Sequence, residues 1–268
     1  MSIRLRWLGN ACFEVVLPSG KVLIIDPYID YSPTSPIKSE QVTGADYIAV
    51  SHTHYDHCTD LGTLVKKFNS KVICGYLAGG RLADFFDFRW SNLVRVKPGD
   101  LVVFDDLKVE AKRSEHIFVP ITKERQLKAT YNPLLDKIMP AMIQAGLHQI
   151  PVRDMEMFNY VFQTSDNLRI AIFGGDAYNY QRHEIIQYHP NVIIFQFGSL
   201  RGAESMVDLA ALSGAELVIP YHHDRNLEET HKIAQAISSL LEDKSRARLL
   251  DIEHGKWYQI GVKAAAIT

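Results

Sequence analysis

Three cysteines in 268 residues, Cys12, Cys58 and Cys74, are odd in number and have no paired spacing. That excludes a disulfide scaffold and fits a reducing compartment. No apolar run approaches the ~20 residues a membrane-spanning helix needs. The longest, Val22-Leu23-Ile24-Ile25 and Val192-Ile193-Ile194-Phe195, have the length of strands. The start of the chain lacks the apolar core and small-residue cleavage site of a signal peptide. A cytoplasmic protein without stable membrane insertion is expected. An excess of one charge is missing too: 29 Lys+Arg against 31 Asp+Glu gives a net charge of −2. That balance offers no global attraction to nucleic acid, which is not expected as a partner. No Gly-x-Gly-x-x-Gly follows the first strand, so a dinucleotide site is not expected. Low-complexity tracts and short repeats are absent as well.

What remains is an ordinary globular composition, 47% hydrophobic and 22% charged, with 11 histidines as its one unusual entry. The pattern predicts strands at Ile3 to Leu8, Cys12 to Leu17 and Val22 to Asp26, with a turn at Pro18-Ser19-Gly20-Lys21. The strand Tyr47 to Val50 follows, then a helix over Leu61 to Phe68, a strand over Lys71 to Tyr76 and a helix over Leu77 to Phe88. Short strands resume from Leu93 to Lys112. A second half opens with a hairpin (Tyr160 to Gln163, Leu168 to Phe173) and continues as strand, helix, strand, helix to Leu241, with short strands ending the chain. Hairpins first and strand–helix alternation after, twice over, predict an α/β fold of two mixed sheets packed together with helices outside. Residues 117–155 break the rhythm with four prolines and a short helix from Leu134 to Leu147. They read as a partly helical insertion in a single domain spanning 1–268.

The chemistry is concentrated in Ser51-His52-Thr53-His54-Tyr55-Asp56-His57, directly after an apolar strand. Residues two apart on a strand end face the same side, so His52 and His54 can converge on one ion. Asp56 and His57 then face a neighbouring point. Three imidazoles and a carboxylate are costly to bury without a partner, and they are ligand types that suit zinc, iron and manganese. Such a motif needs more ligands at later strand ends. His116, Asp176 in Gly174-Gly175-Asp176-Ala177, and His222 in Pro220-Tyr221-His222 are so placed.

With these residues in that order, and with Trp7-Leu8-Gly9 and Leu23-Ile24-Ile25-Asp26-Pro27 near the start, the chain resembles the metallo-β-lactamase superfamily. Among its branches the look is nearest to the ascorbate-6-phosphate lactonase-like and related metal-dependent hydrolases. The His-x-His-Tyr-Asp-His string is also similar to that of the N-acyl phosphatidylethanolamine phospholipase D branch. The resemblance implies a four-layered αβ/βα sandwich and two divalent metal ions per chain, with zinc the first expectation and manganese or iron the alternatives. It implies that His52, His54 and His116 bind the first ion, that Asp56, His57 and His222 bind the second, and that Asp176 bridges them. Asp26 would orient a ligand histidine from behind. His223 follows His222 directly, so either can be the last ligand; the family pattern favours His222.

Two such ions ~3.5–4 Å apart activate a bridging hydroxide for attack on a carbonyl or phosphoryl centre. Asp56 would orient that nucleophile and His223 is a candidate proton donor to the leaving group. Lys123, Arg125, Lys128 and Tyr131 in the insertion, with Arg201, are candidates for binding a small anionic ester, lactone or phosphodiester. A phospholipid phosphodiesterase, an iron-dependent oxidoreductase and a nuclease are the alternatives. Apolar stretches of the insertion are candidates for lining a pocket or for a subunit contact in a homo-oligomer.

Overall fold

Strict alternation starts the first sheet. In β1 (Ser2–Trp7) Ile3, Leu5 and Trp7 are buried while Arg4 is exposed, as a period of two requires. The computed structural model describes residues 2–116, 133–148, 155–173, 182–196, 200–221 and 227–261. β1 pairs antiparallel with β2 (Phe13–Val16), and β2 with β3 (Val22–Ile25). The sheet then continues in parallel through β4 (Tyr47–Ala49), β5 (Lys71–Gly75) and β6 (Leu93–Val96). Helices α1 (Tyr55–Cys58), α2 (Leu61–Phe68) and α3 (Ala78–Phe86) fill the crossovers.

The second sheet repeats the plan. β7 (Leu101–Val103), β8 (Leu107–Arg113), β9 (Phe158–Thr164) and β10 (Arg169–Phe173) are antiparallel. Helix α4 (Pro133–Gln144) lies in the insertion between β8 and β9. From β10 the order runs in parallel through β11 (Val192–Gln196), β12 (Leu217–Tyr221) and β13 (Arg248–Leu249), with α5 (Arg182–Ile186), α6 (Leu200–Ser213) and α7 (Leu227–Lys244) between. β14 (Tyr258–Gly261) crosses back to pair with β1, so among the described residues each sheet has seven strands.

Three apolar layers hold this together. Leu5, Phe13, Leu23 and Ile25 meet Val109, Tyr160, Phe162 and Ile194 between the sheets. Ile24, Ile48, Leu61, Leu64 and Leu82 pack the outer face of the first sheet, and Phe173, Ile193, Val207 and Ile237 that of the second. The result is the expected four-layered αβ/βα sandwich. The two largest buried side chains with a hydroxyl each find a backbone acceptor: Tyr160 Oη donates to Val50 O at 2.9 Å, and Tyr221 Oη donates to Phe173 O. Among the described residues no helix is long and apolar enough to cross a membrane.

Several element ends differ from the pattern. α3 stops at Phe86 rather than Phe88 because Asp87 takes the left-handed conformation (φ 53°) and caps it. β4 ends at Ala49, one residue before Val50, so the histidine string is carried by an extended loop rather than by the strand itself. The five-residue helix α5 has no counterpart in the sequence reading.

Candidate metal centre

The loop after β4 is tied to both sheets. Val50 N donates to Ile73 O of β5 at 2.9 Å, while Phe158 N of β9 donates to Ser51 O at 3.0 Å. Held this way, the extended chain directs His52 and His54 to one place, with ring centroids 4.7 Å apart. His54 then caps α1 from extended backbone (φ −63°, ψ 150°), and the single turn that follows carries Asp56 and His57. His116 arrives from the other sheet, three residues beyond β8, where Ser114 N donates to Met157 O at 2.8 Å. Its Nε2 lies 3.1 Å from His54 Nδ1. One ring nitrogen from each of His52, His54 and His116 lies within 4.8 Å of the others.

Asp26 orders the rings from behind. It sits just past β3 in left-handed backbone (φ 45°), a conformation that Asp tolerates better than most residues. Its Oδ1 accepts from Ser51 N at 2.6 Å; its Oδ2 accepts from Ser51 Oγ at 2.6 Å and from His57 Nδ1 at 2.8 Å. Ser51 Oγ spends its one proton on Asp26, so its 3.0 Å contact with His52 Nδ1 makes the ring the donor. Both His52 and His57 thus carry their proton on Nδ1 and present the Nε2 lone pair, the tautomer a metal ligand needs. His57 Nε2 lies 3.9 Å from Asp56 Oδ1. Asp56 is in turn held by Asn10, whose Nδ2 donates to its backbone carbonyl at 2.9 Å and to its Oδ2 at 3.3 Å.

These nitrogens suit a cation. His52 Nε2 and His54 Nε2 are buried with no hydrogen-bond partner among the described residues, which is expensive unless a ligand takes the lone pair. Protons are disfavoured there. Burial, reinforced by His57, His54 and His116, pushes the His52 imidazole well below its ordinary range. Burial also lowers His54 from 6.5 to about 3, against the pull of Asp56 and with His148, His116 and His57 adding to the fall.

The sign of the resulting pH dependence follows directly. Between pH 6.5 and about 3 the unfolded chain binds a proton at His54 that the folded chain refuses, so stability is full above 6.5 and is lost as pH falls through that window. Thermal melts of metal-free protein at pH 7.5, 6 and 5 should show a falling Tm, with a shallower fall in His54→Gln. A flat Tm over that range would refute the protonation argument.

Of the candidates from the sequence, His52, His54, His57, His116, Asp56 and Asp26 form this one cluster. Asp176, His222, His223, Lys123, Arg125, Lys128 and Tyr131 lie outside the described residues, and of Arg201 only the helical backbone is described. Three further participants escaped the sequence reading. Ser51 relays Asp26 to His52, Asn10 orients Asp56, and His148 lies tilted against His54 at 4.5 Å between centroids. Only Ser51, adjacent to the motif, carried a local signal.

Comparison with known proteins agrees with the geometry. A family model described as a β-lactamase superfamily domain matches residues 21–131. A UPF0173 metal-dependent hydrolase of Solibacter usitatus is 26% identical over 231 residues, covering 82% of this chain and 84% of that protein. One from Metallosphaera sedula is 31% identical over 114 residues, covering 42% of this chain and half of that protein. Among solved structures, Igni18, a metallo hydrolase from Ignicoccus hospitalis, superposes with a TM-score of 0.71 at 16% identity, over 98% of this chain and 100% of that one.

Proposed function

We propose that the chain is a metal-dependent hydrolase of the metallo-β-lactamase superfamily, and that it uses two divalent ions to hydrolyse an ester, lactone or phosphodiester of a small anionic metabolite. The observation that carries the reading is the triad of His52, His54 and His116, whose nitrogens converge from two sheets, with the buried Nε2 of His52 and of His54 left without a hydrogen-bond partner among the described residues.

In this reading His52, His54 and His116 hold the first ion. Asp56, His57 and His222 would hold a second, and Asp176 would be a ligand to both. Bound divalent ions supply Lewis acidity and a hydroxide-like nucleophile at neutral pH. The protein's own part is orientation. Asp26 fixes the Nδ1–H tautomers through Ser51 and His57, and Asn10 holds the Asp56 carboxylate so that it can align the attacking group. Low proton affinity at His52 and His54 keeps both rings available at neutral pH. Support for an anionic substrate comes from Lys123, Arg125, Lys128 and Arg201, cations in the insertion and after a strand of the second sheet; Tyr131 would add a hydroxyl contact and His223 a proton for the leaving group. Zinc is the proposed native ion, with manganese or iron as the alternatives.

Elemental analysis of the purified protein should find close to two divalent ions per chain, and a panel of phosphodiesters, lactones and esters should contain a substrate turned over only with metal present. Failure to retain any metal after reconstitution would sink the proposal. Iron accompanied by oxygen consumption in place of hydrolysis would replace it with an oxidoreductase.

A further inference from the structure

The insertion between β8 and β9 brings a side chain to the metal centre for which neither ligand set has a use. α4 ends at Gln144, and the chain reverses through Gly146 in left-handed backbone (φ 68°). Leu147 N and His148 N both donate to Met142 O, at 2.9 and 3.3 Å, so the turn is closed on the helix that precedes it. Met142 and Leu147 are fully buried in the apolar layer outside the first sheet, beside Cys58, Leu61 and Leu82. Arg81 Nη1 adds a hydrogen bond to Gly146 O at 3.2 Å. The decisive tie is Thr53, which stands between His52 and His54 and whose Oγ1 donates to Leu147 O. The tip of the insertion is therefore fastened to the loop that carries the ligand histidines.

This anchoring leaves the His148 ring little freedom. It packs 4.5 Å from His54 and 5.6 Å from Tyr55, between centroids. The residue is only 9% exposed, and its Nδ1 is buried with no hydrogen-bond partner among the described residues. It stands outside the group of three nitrogens that lie within 4.8 Å of one another. A buried imidazole nitrogen left unpaired beside a reaction centre is costly in the free protein, and an oxygen arriving with a ligand relieves that cost.

We infer that His148 is a substrate-contacting residue, whose Nδ1 hydrogen-bonds an oxygen of the ester or phosphoryl group held at the metals, and that the insertion's packed turn exists to deliver it. The inference rests on the hydrolase reading above, and it assigns the insertion a part in substrate recognition that is separate from metal binding.

The test uses the full chain reconstituted with zinc, comparing wild type, His148→Ala and His148→Asn, the last retaining a hydrogen-bonding group near the position of Nδ1. Three readouts are metal content, turnover of bis(p-nitrophenyl) phosphate and p-nitrophenyl acetate, and affinity for inorganic phosphate by calorimetry. His148→Ala should keep the wild-type metal content and lose about tenfold in kcat/KM and in phosphate affinity, the scale of one hydrogen bond, with His148→Asn recovering part of both. Loss of an ion in His148→Ala would make the residue a ligand and overturn the inference. Should wild type turn over neither ester, the hydrolase reading fails while the phosphate arm still decides about His148. Equal phosphate affinity in wild type and His148→Ala, including none in either, overturns it.

Discussion

Alanine at His54 should remove hydrolysis while leaving the fold intact. The ring supplies one of three converging nitrogens, and its Nδ1 lies 3.1 Å from His116 Nε2. Losing a proposed direct ligand should cost more than the ~10–100-fold that loss of an outer-shell partner typically costs in metal affinity or activity. A drop of well over about a hundredfold in kcat/KM is expected, with metal content falling in parallel. Circular dichroism and the Tm of the metal-free protein should change little, because His54 belongs to none of the apolar layers, and removing a buried neutral imidazole abolishes the acid-sensitive group itself. Activity at wild-type level with full metal occupancy would show that His54 is no ligand.

Asp26→Ala should instead damage stability and metal binding together. Its carboxylate accepts from Ser51 N, Ser51 Oγ and His57 Nδ1, all buried. Each stranded donor costs ~1–3 kcal/mol, and left-handed backbone adds ~1–2 kcal/mol for a residue such as alanine. A loss of about 3–5 kcal/mol is expected after relaxation, the scale seen when one partner of a buried pair is removed. The midpoint of urea unfolding of metal-free protein reads this directly. Metal affinity should fall a further ~10–100-fold as His52 and His57 lose their fixed tautomer. Asp26→Asn keeps the shape and the tolerance of positive φ but turns an amide N–H₂ toward a donor, so it should fall between wild type and Asp26→Ala. A wild-type unfolding midpoint in Asp26→Ala would mean that Ser51 and His57 find other acceptors.

The sequence was most legible where the physics is local. Hairpins at β1–β3 and β9–β10 announced antiparallel pairing, and the parallel half of each sheet announced itself by strand–helix alternation. Four ligand-type residues in six positions made His52 to His57 visible without any tertiary information. His116 was harder, since a single histidine after a strand has many ordinary explanations; only its meeting with His54, 62 positions away, distinguishes it. Asn10 and His148 were not legible at all. Asn10 reaches Asp56 across 46 positions, and Leu147 reaches Thr53 across 94, so the information resides in how the layers pack and not in any window of sequence. Strand and helix ends shifted by a residue or two where capping geometry, as at Asp87, overrode the apolar pattern.

The pairing of β14 with β1 has a consequence for the order of events as the chain is made. Ser2 lies opposite Gly261 and Leu5 opposite Tyr258, so β1 waits for β14, the furthest along the chain of the described strands, before its sheet is complete. Contacts of such sequence separation make folding slow, because chain entropy is surrendered before the pairing repays it. The histidine loop emerges long before Phe158 and Tyr160, the residues that clamp Ser51 and Val50 from the opposite sheet. Until they arrive, the string lacks the contacts that enclose it in the folded chain. His116 takes its place beside His54 only when the second sheet closes over the loop.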